Sequence, residues 1–177
     1  MDKSFHNIVA GKKYLNIGEV KLINQEETIW TVLGSCISII FHSQKHNVGI
    51  ICHAQLPEKR NYHSVCSDTC PKPCFRSYNT DNDLRYVSCA FRYMFETLRS
   101  KGISPDDITT HVYGGASIFQ LKISTKSQSI GEQNADVALK MLRNEGIRIN
   151  HKDIGGNKGR RLIFYGETGK VFVEAHK

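Results

Sequence analysis

The apolar residues of this chain change their spacing twice, and those two changes limit the layers it can build. Tyr14 to Leu22, Ile29 to Leu33, Ile37 to His42 and Val48 to His53 are short apolar segments broken by polar turns, which is the pattern of β-strands. From Asp83 the apolar positions move to three- and four-residue steps. Val87, Ala90, Phe91, Met94, Phe95 and Leu98 share one helical face until Gly102 and Pro105 stop it. A second helix is expected from about Gly131 to Asn144, with Ala135, Ala138, Met141 and Leu142 on one face and Gly146 as its stop. Thr110 to Tyr113 is a short strand between the helices, and strands return at Arg148 to Ile154, Arg161 to Tyr165 and Lys170 to Glu174. In a chain of 177 residues with 40% hydrophobic content, this order predicts a single α/β domain, a mixed β-sheet or sheets packed by two main helices.

The ends and the long loop bound the cellular setting. Residues 1–13 read as an N-terminal extension without the apolar run of a secretory leader, and no later stretch has the length of a membrane helix. A cytoplasmic, reducing location is therefore expected, in which six cysteines are nucleophiles, metal ligands or core thiols rather than disulfides. The net charge of +7 is spread along the chain, with only Lys158-Gly-Arg160-Arg161 clustered, so no nucleic-acid partner is expected. No Gly-Lys-Ser/Thr ending accompanies Gly114-Gly115 or Gly155-Gly156, and both pairs read as sharp turns rather than phosphate loops.

One segment carries chemistry. Thr31-Val-Leu-Gly34-Ser35-Cys36 sets a cysteine just after a glycine at a strand end, where a sharp turn would project the thiol and aim backbone N–H groups at a substrate oxygen. Ile37 to His42 and Val48 to His53 flank the polar turn Ser43 to Asn47, so they form a hairpin. A turn centred near Lys45 pairs residues whose numbers sum to about 90, which makes Cys36 and His53 near neighbours with Cβ atoms about 5 Å apart. A histidine at that range takes a thiol proton and releases the thiolate to attack a carbonyl carbon. On spacing alone, a small buried thiol and an ordinary strand histidine are the alternative. Cys52 should face the opposite side and join the core, and Cys89 should lie off the apolar face of its helix.

These residues belong to a longer series: Ile17-Gly-Glu19, Thr31 to Cys36, Val48 to His53 with Leu56-Pro57, Gly114-Gly-Ala-Ser117, Ile130-Gly-Glu-Gln-Asn134 and Asp153 to Arg160. In that order they resemble the CheD family, the chemoreceptor glutamine deamidases of bacterial and archaeal chemotaxis. The resemblance implies a CheD-like layered fold over 14–177 and a hydrolase that converts receptor glutamines to glutamate and ammonia through a cysteine thioester. It implies Cys36 as nucleophile, His53 as base and Thr31, just upstream, as the third catalytic position. Backbone groups around Gly34, Ser35 and Cys36 would stabilise the oxyanion. The implied partners are methyl-accepting chemotaxis receptors and the phosphatase CheC, and the cycle requires no cofactor.

A cysteine-rich insertion at about 58–80 departs from the family pattern. It holds His63, Cys66, Cys70 and Cys74, and Pro71 and Pro73 forbid a regular helix through its second half. Three thiolates and an imidazole match a tetrahedral zinc site, and three cysteines alone match an iron–sulfur cluster with an open iron. A redox-active loop and an inert loop are the other readings. A regulatory module that binds CheC or receptors, with metal or redox sensing in this loop, is thus the alternative to an enzyme. A metal in the loop predicts about one zinc, or the iron of one cluster, per chain by elemental analysis, lost on Cys70→Ser substitution. Metal-free protein that folds and works unchanged would exclude it.

Overall fold

In the computed structural model Phe5, Val9 and residues 11–58, 83–118 and 128–176 are described. The first apolar segments become β1 (Lys13–Tyr14), β2 (Val20–Ile23), β3 (Thr28–Leu33), β4 (Ile37–Ser43) and β5 (Val48–Cys52). Then come α1 (Val87–Ser100), a 3-10 turn at Pro105–Asp107, β6 (Thr109–Gly114), α2 (Ile130–Asn144), β7 (His151–Ile154), β8 (Gly159–Tyr165) and β9 (Val171–His176). The class is the expected α/β with two main helices. The strands divide into a four-stranded sheet, β1-β3-β8-β9, and a five-stranded sheet, β2-β5-β4-β6-β7. β1 runs parallel to β3 and β7 parallel to β6, and the other pairs are antiparallel.

β4 lies at the centre of the larger sheet, and all seven of its residues are buried. Alternate side chains of a strand point to opposite faces. Ile37, Ile39 and Phe41 therefore pack with Cys52, Val87, Phe91, Met94 and Leu142 beneath the helices. Ile40 instead joins Leu15, Ile29, Leu33, Ile51, Leu162 and Phe164 between the two sheets. The order of layers is helices, five-stranded sheet, four-stranded sheet. Phe5 and Val9, from the expected N-terminal extension, are buried with Ile163, Trp30 and Tyr165 on the outer face of the smaller sheet, and the Arg161 guanidinium stands 4.9 Å from the Phe5 ring centre. The cysteine-rich insertion, with His63, Cys66, Cys70 and Cys74, lies outside the described residues.

Several local expectations change. Tyr14 to Leu22 is not one strand. A turn in which Glu19 N–H donates to the Asn16 carbonyl and Asn16 N–H to the Glu19 carboxylate breaks it, so β1 joins one sheet and β2 the other. β7 begins only at His151, after Asn150 has bonded to Thr110 through both its backbone and its side chain. Cys89, expected off the apolar face, is 1% exposed. Cys52 sits in the core as expected, with its sulfur accepting from Ile39 N–H at 3.3 Å.

The hairpin register also moves. Residues 44–47 form a four-residue turn, so its centre falls between Lys45 and His46. The observed pairs, Ile40 with Ile51 and His42 with Gly49, sum to 91. Side chains alternate with period two, so this difference decides which side of the sheet each one occupies. A sum of 90 would set Cys36 and His53 on opposite faces, whereas 91 sets them on the same face, as diagonal neighbours.

α2 is anchored at its start. The Ser129 hydroxyl accepts from Glu132 N–H while the Glu132 carboxylate accepts from Ser129 N–H, a reciprocal capping box. The next constraint is steric, since a Cβ on Gly131 would collide with the carbonyls of Gly115 and Ala116. Gly131→Ala is expected to lower stability by about 1–3 kcal/mol despite the better helix propensity of alanine, because backbone must move to make room. Urea unfolding of the two proteins measures it, and an unchanged midpoint would contradict the close approach.

Candidate active site

Three crossings between the sheets converge at one end of the sandwich. Leu15 to Glu19 leads from β1 to β2, Gly34 to Cys36 from β3 to β4, and Gly155 to Lys158 from β7 to β8. The register confirms the convergence: Leu33 pairs with Arg160, Ile37 with Gly114, and Gly114 with Ile154. The candidate residues gather at this end. Thr31 projects inward from β3, Cys36 ends the second crossing, and His53 follows the last residue of β5.

His53 is tied across the seam. Its backbone donates to the Glu19 carbonyl at 3.0 Å and its carbonyl accepts from Gly18 N–H at 2.7 Å. The Thr31 hydroxyl donates to the Leu15 carbonyl at 2.9 Å and lies 2.8 Å from His53 Nδ1, which is itself 3.3 Å from that carbonyl. These contacts fix the tautomer. The single hydroxyl proton of Thr31 is committed to Leu15, so its oxygen accepts from Nδ1–H, and a bare Nδ1 would oppose its lone pair to the carbonyl. Nε2 is then left unprotonated, buried and without a hydrogen-bond partner among the described residues. Burial lowers the pKa of the imidazole, only partly offset by the Leu15 carbonyl and the Glu19 charge, so His53 is neutral at neutral pH.

Cys36 shares this face of the sheet and is 8% exposed. Burial pushes its thiol up to about 11, opposed weakly by its own backbone N–H. Since Nε2 has no partner, thiol and imidazole are not hydrogen-bonded to each other. Burial thus favours the neutral form of both groups. Gly34 differs from expectation: its φ is not in the left-handed region, and the lack of a side chain instead lets Ile118 Cδ1 lie against it. The carbonyls of Gly34 and Cys36 accept from Ala116 and Gly115 N–H at 3.0 and 2.7 Å. The Ser35 carbonyl accepts from Asn134 Nδ2 at 2.8 Å.

Sequence reasoning missed two contributors. Leu15 acts through its carbonyl, which no side-chain pattern reveals. Asn134 stood within a recognised motif, but no role followed from its position there. The four expected metal ligands fall outside the described residues, and among the described residues no group of three or more His, Cys, Asp or Glu is placed to hold a metal ion.

The protonation states can be tested directly. Iodoacetamide reacts with thiolate, so Cys36 alkylation should climb with pH beyond about 9 without a plateau near neutrality. A plateau near neutral pH, read on the Cys36 peptide by mass spectrometry, would mean a preformed ion pair.

Known proteins were compared with this chain. The family model described as CheD chemotactic sensory transduction matches residues 71–175. A probable chemoreceptor glutamine deamidase CheD 2 of Geobacter sulfurreducens is 30% identical over 161 residues, 91% of this chain and 88% of that protein. A probable chemoreceptor glutamine deamidase CheD of Nitratidesulfovibrio vulgaris is 32% identical over 165 residues, 90% of this chain and 75% of its own. The chemoreceptor glutamine deamidase CheD of Thermotoga maritima is 28% identical over 163 residues, 92% of this chain and 90% of its own. Coverage of this extent leaves too few residues at either end to exclude Thr31, Cys36 or His53 from the aligned stretch. With half the chain matched by the family model and nearly all of it by these relatives, the chain belongs to the CheD family.

Proposed function

We propose that the chain is a protein-glutamine deamidase acting on chemotaxis receptors. The observation that carries this reading is the fixed tautomer of His53, which leaves the Nε2 lone pair on the face of the sheet that also bears Cys36. The relatives, each named a chemoreceptor glutamine deamidase, supply the substrate class.

In the first half of the reaction His53 Nε2 accepts the Cys36 proton as the sulfur attacks the glutamine carboxamide carbon. Backbone N–H groups of Ser35 and Cys36 receive the oxyanion. The C–N bond then breaks, and the nitrogen takes the proton from His53 and leaves as ammonia. In the second half His53 deprotonates a water that attacks the thioester. The C–S bond breaks, glutamate forms, and the proton returns to the sulfur. Thr31 and the Leu15 carbonyl hold Nδ1–H throughout, so the imidazolium formed in transit is stabilised without rotating.

The neutral resting pair fits a substrate that triggers proton transfer. A thiol raised to about 11 is mostly protonated at neutral pH, so its proton passes to His53 as the sulfur attacks. The reading assigns the cytoplasm as location, with a CheC-type phosphatase as a second partner. Among the described residues no helix is long and apolar enough to cross a membrane.

Receptor cytoplasmic fragments incubated with the protein should show glutamine-to-glutamate conversion by peptide mass spectrometry, abolished in Cys36→Ala. Thr31→Val should retain the fold but lose about 10- to 100-fold in kcat, because the base keeps its position in sequence while losing its hydrogen-bonded orientation. Equal conversion by native protein and Cys36→Ala, or none by either, would refute the mechanism. Receptor binding without conversion would favour the regulatory reading instead.

A further inference from the structure

Asn134 lies near the start of α2, fully buried, and donates its two amide hydrogens to two backbone carbonyls, those of Ser35 and Gln55, each at 2.8 Å. Carbonyls only accept, so the orientation of the amide is determined: Nδ2 faces both strands. Oδ1 is buried and has no hydrogen-bond partner among the described residues. A side chain that leaves its own acceptor unpaired while making two short donations is held for those donations.

The peptide linking Ser35 to Cys36 is planar and trans, so its C=O and N–H point in opposite directions. Drawing the Ser35 oxygen towards α2 therefore turns the Cys36 N–H away from α2. The neighbouring peptides are held in the same manner, by Ala116 N–H on Gly34 and Gly115 N–H on Cys36. Among the described residues no backbone hydrogen bond is donated by Ser35 or Cys36. The other two of these three grips come from backbone, and the middle one, on the peptide that carries the nucleophile's own N–H, comes from a side chain. The second donation of Asn134 reaches Gln55, two residues beyond His53, so one amide braces both segments of the site.

We propose that Asn134 is a positioning residue for deamidation. It locks the Ser35–Cys36 peptide with Cys36 N–H presented to the oxyanion of the tetrahedral intermediate, and it ties that donor to the segment bearing His53. The inference rests on the deamidase reading and adds a residue to it. Without Asn134 the peptide is free to rotate and turn the Ser35 carbonyl, a second negative pole, towards the developing oxyanion. The bare α-carbon of Gly131 supports this arrangement by letting the helix start approach the Gly115–Ala116 backbone.

The test uses Asn134→Ala and Asn134→Asp, the second keeping the shape while removing both amide hydrogens. Receptor deamidation should lose about 10- to 100-fold in kcat with KM within about threefold, the pattern for a transition-state interaction. Alkylation of Cys36 by iodoacetamide, a displacement that builds no oxyanion, should stay within about threefold of native protein. Unchanged kcat overturns the proposal, and so does a parallel fall of kcat, alkylation rate and unfolding midpoint, which is the signature of a purely structural role. If the native protein converts no receptor glutamine, the deamidase reading fails separately. Asn134 is then judged from the Cys36 amide in nitrogen-15-labelled protein. A changed shift and faster hydrogen exchange in both variants support the lock, and an unmoved resonance overturns it.

Discussion

Both faces of β4 have to be kept from water, and the architecture follows from that requirement. A strand buried on two sides needs a cover on each. α1 and α2 provide one, and the four-stranded sheet provides the other. Each isoleucine or phenylalanine so buried contributes about 1.5–3 kcal/mol, which makes a central strand of this kind the strongest fixed line in the molecule. The chain crosses between the sheets at one end of that line, and Cys36 begins where it enters. The position of Cys36, the proposed nucleophile, is thus a by-product of a well-packed part of the fold.

The same burial sets the chemistry of the resting state. Apolar surroundings disfavour charge on both partners, raising the thiol and lowering the imidazole. A site of this kind stores its reactivity. Thiolate, not thiol, is the form that oxidants and stray electrophiles attack, so a neutral Cys36 is shielded from both. The hydrogen bonds of Thr31 and Leu15 keep His53 in the tautomer that the proposed base role requires. Cys52, on the helix side of the same sheet, is pushed up to about 12 by the same burial and stays a neutral core thiol.

The sequence made some of this legible and concealed the rest for identifiable reasons. Periodicity located α1, α2 and most strands, because a helix face and a strand face leave different marks. It did not separate Tyr14 from Val20. An apolar segment that changes sheets keeps its composition, and the turn at Asn16 to Glu19 is made by backbone and one carboxylate. Cys36, His53 and Thr31 could be singled out as residue types in a suggestive order. The contact joining Thr31 to His53 passes between two sheets and has no counterpart in sequence spacing. Leu15 contributes a carbonyl that any residue would possess. Asn134 reaches the site from a helix about 100 positions downstream of Ser35, a distance at which only the folded chain brings partners together.

The turn at 44–47 gives the hairpin one more property. It lies at the far end of β4, about 25 Å from the thiol at the usual rise per strand residue. Its length nevertheless decides parity. Adding or removing one residue there, with β4 held in place by its neighbours, would slide β5 by a single step and rotate the His53 side chain to the helix side of the sheet, exchanging it with a hydrophobic position. The length of this turn therefore bears on the parity of the hairpin. Where β5 slides with its turn, a step of two residues preserves the side on which His53 lies and a step of one reverses it.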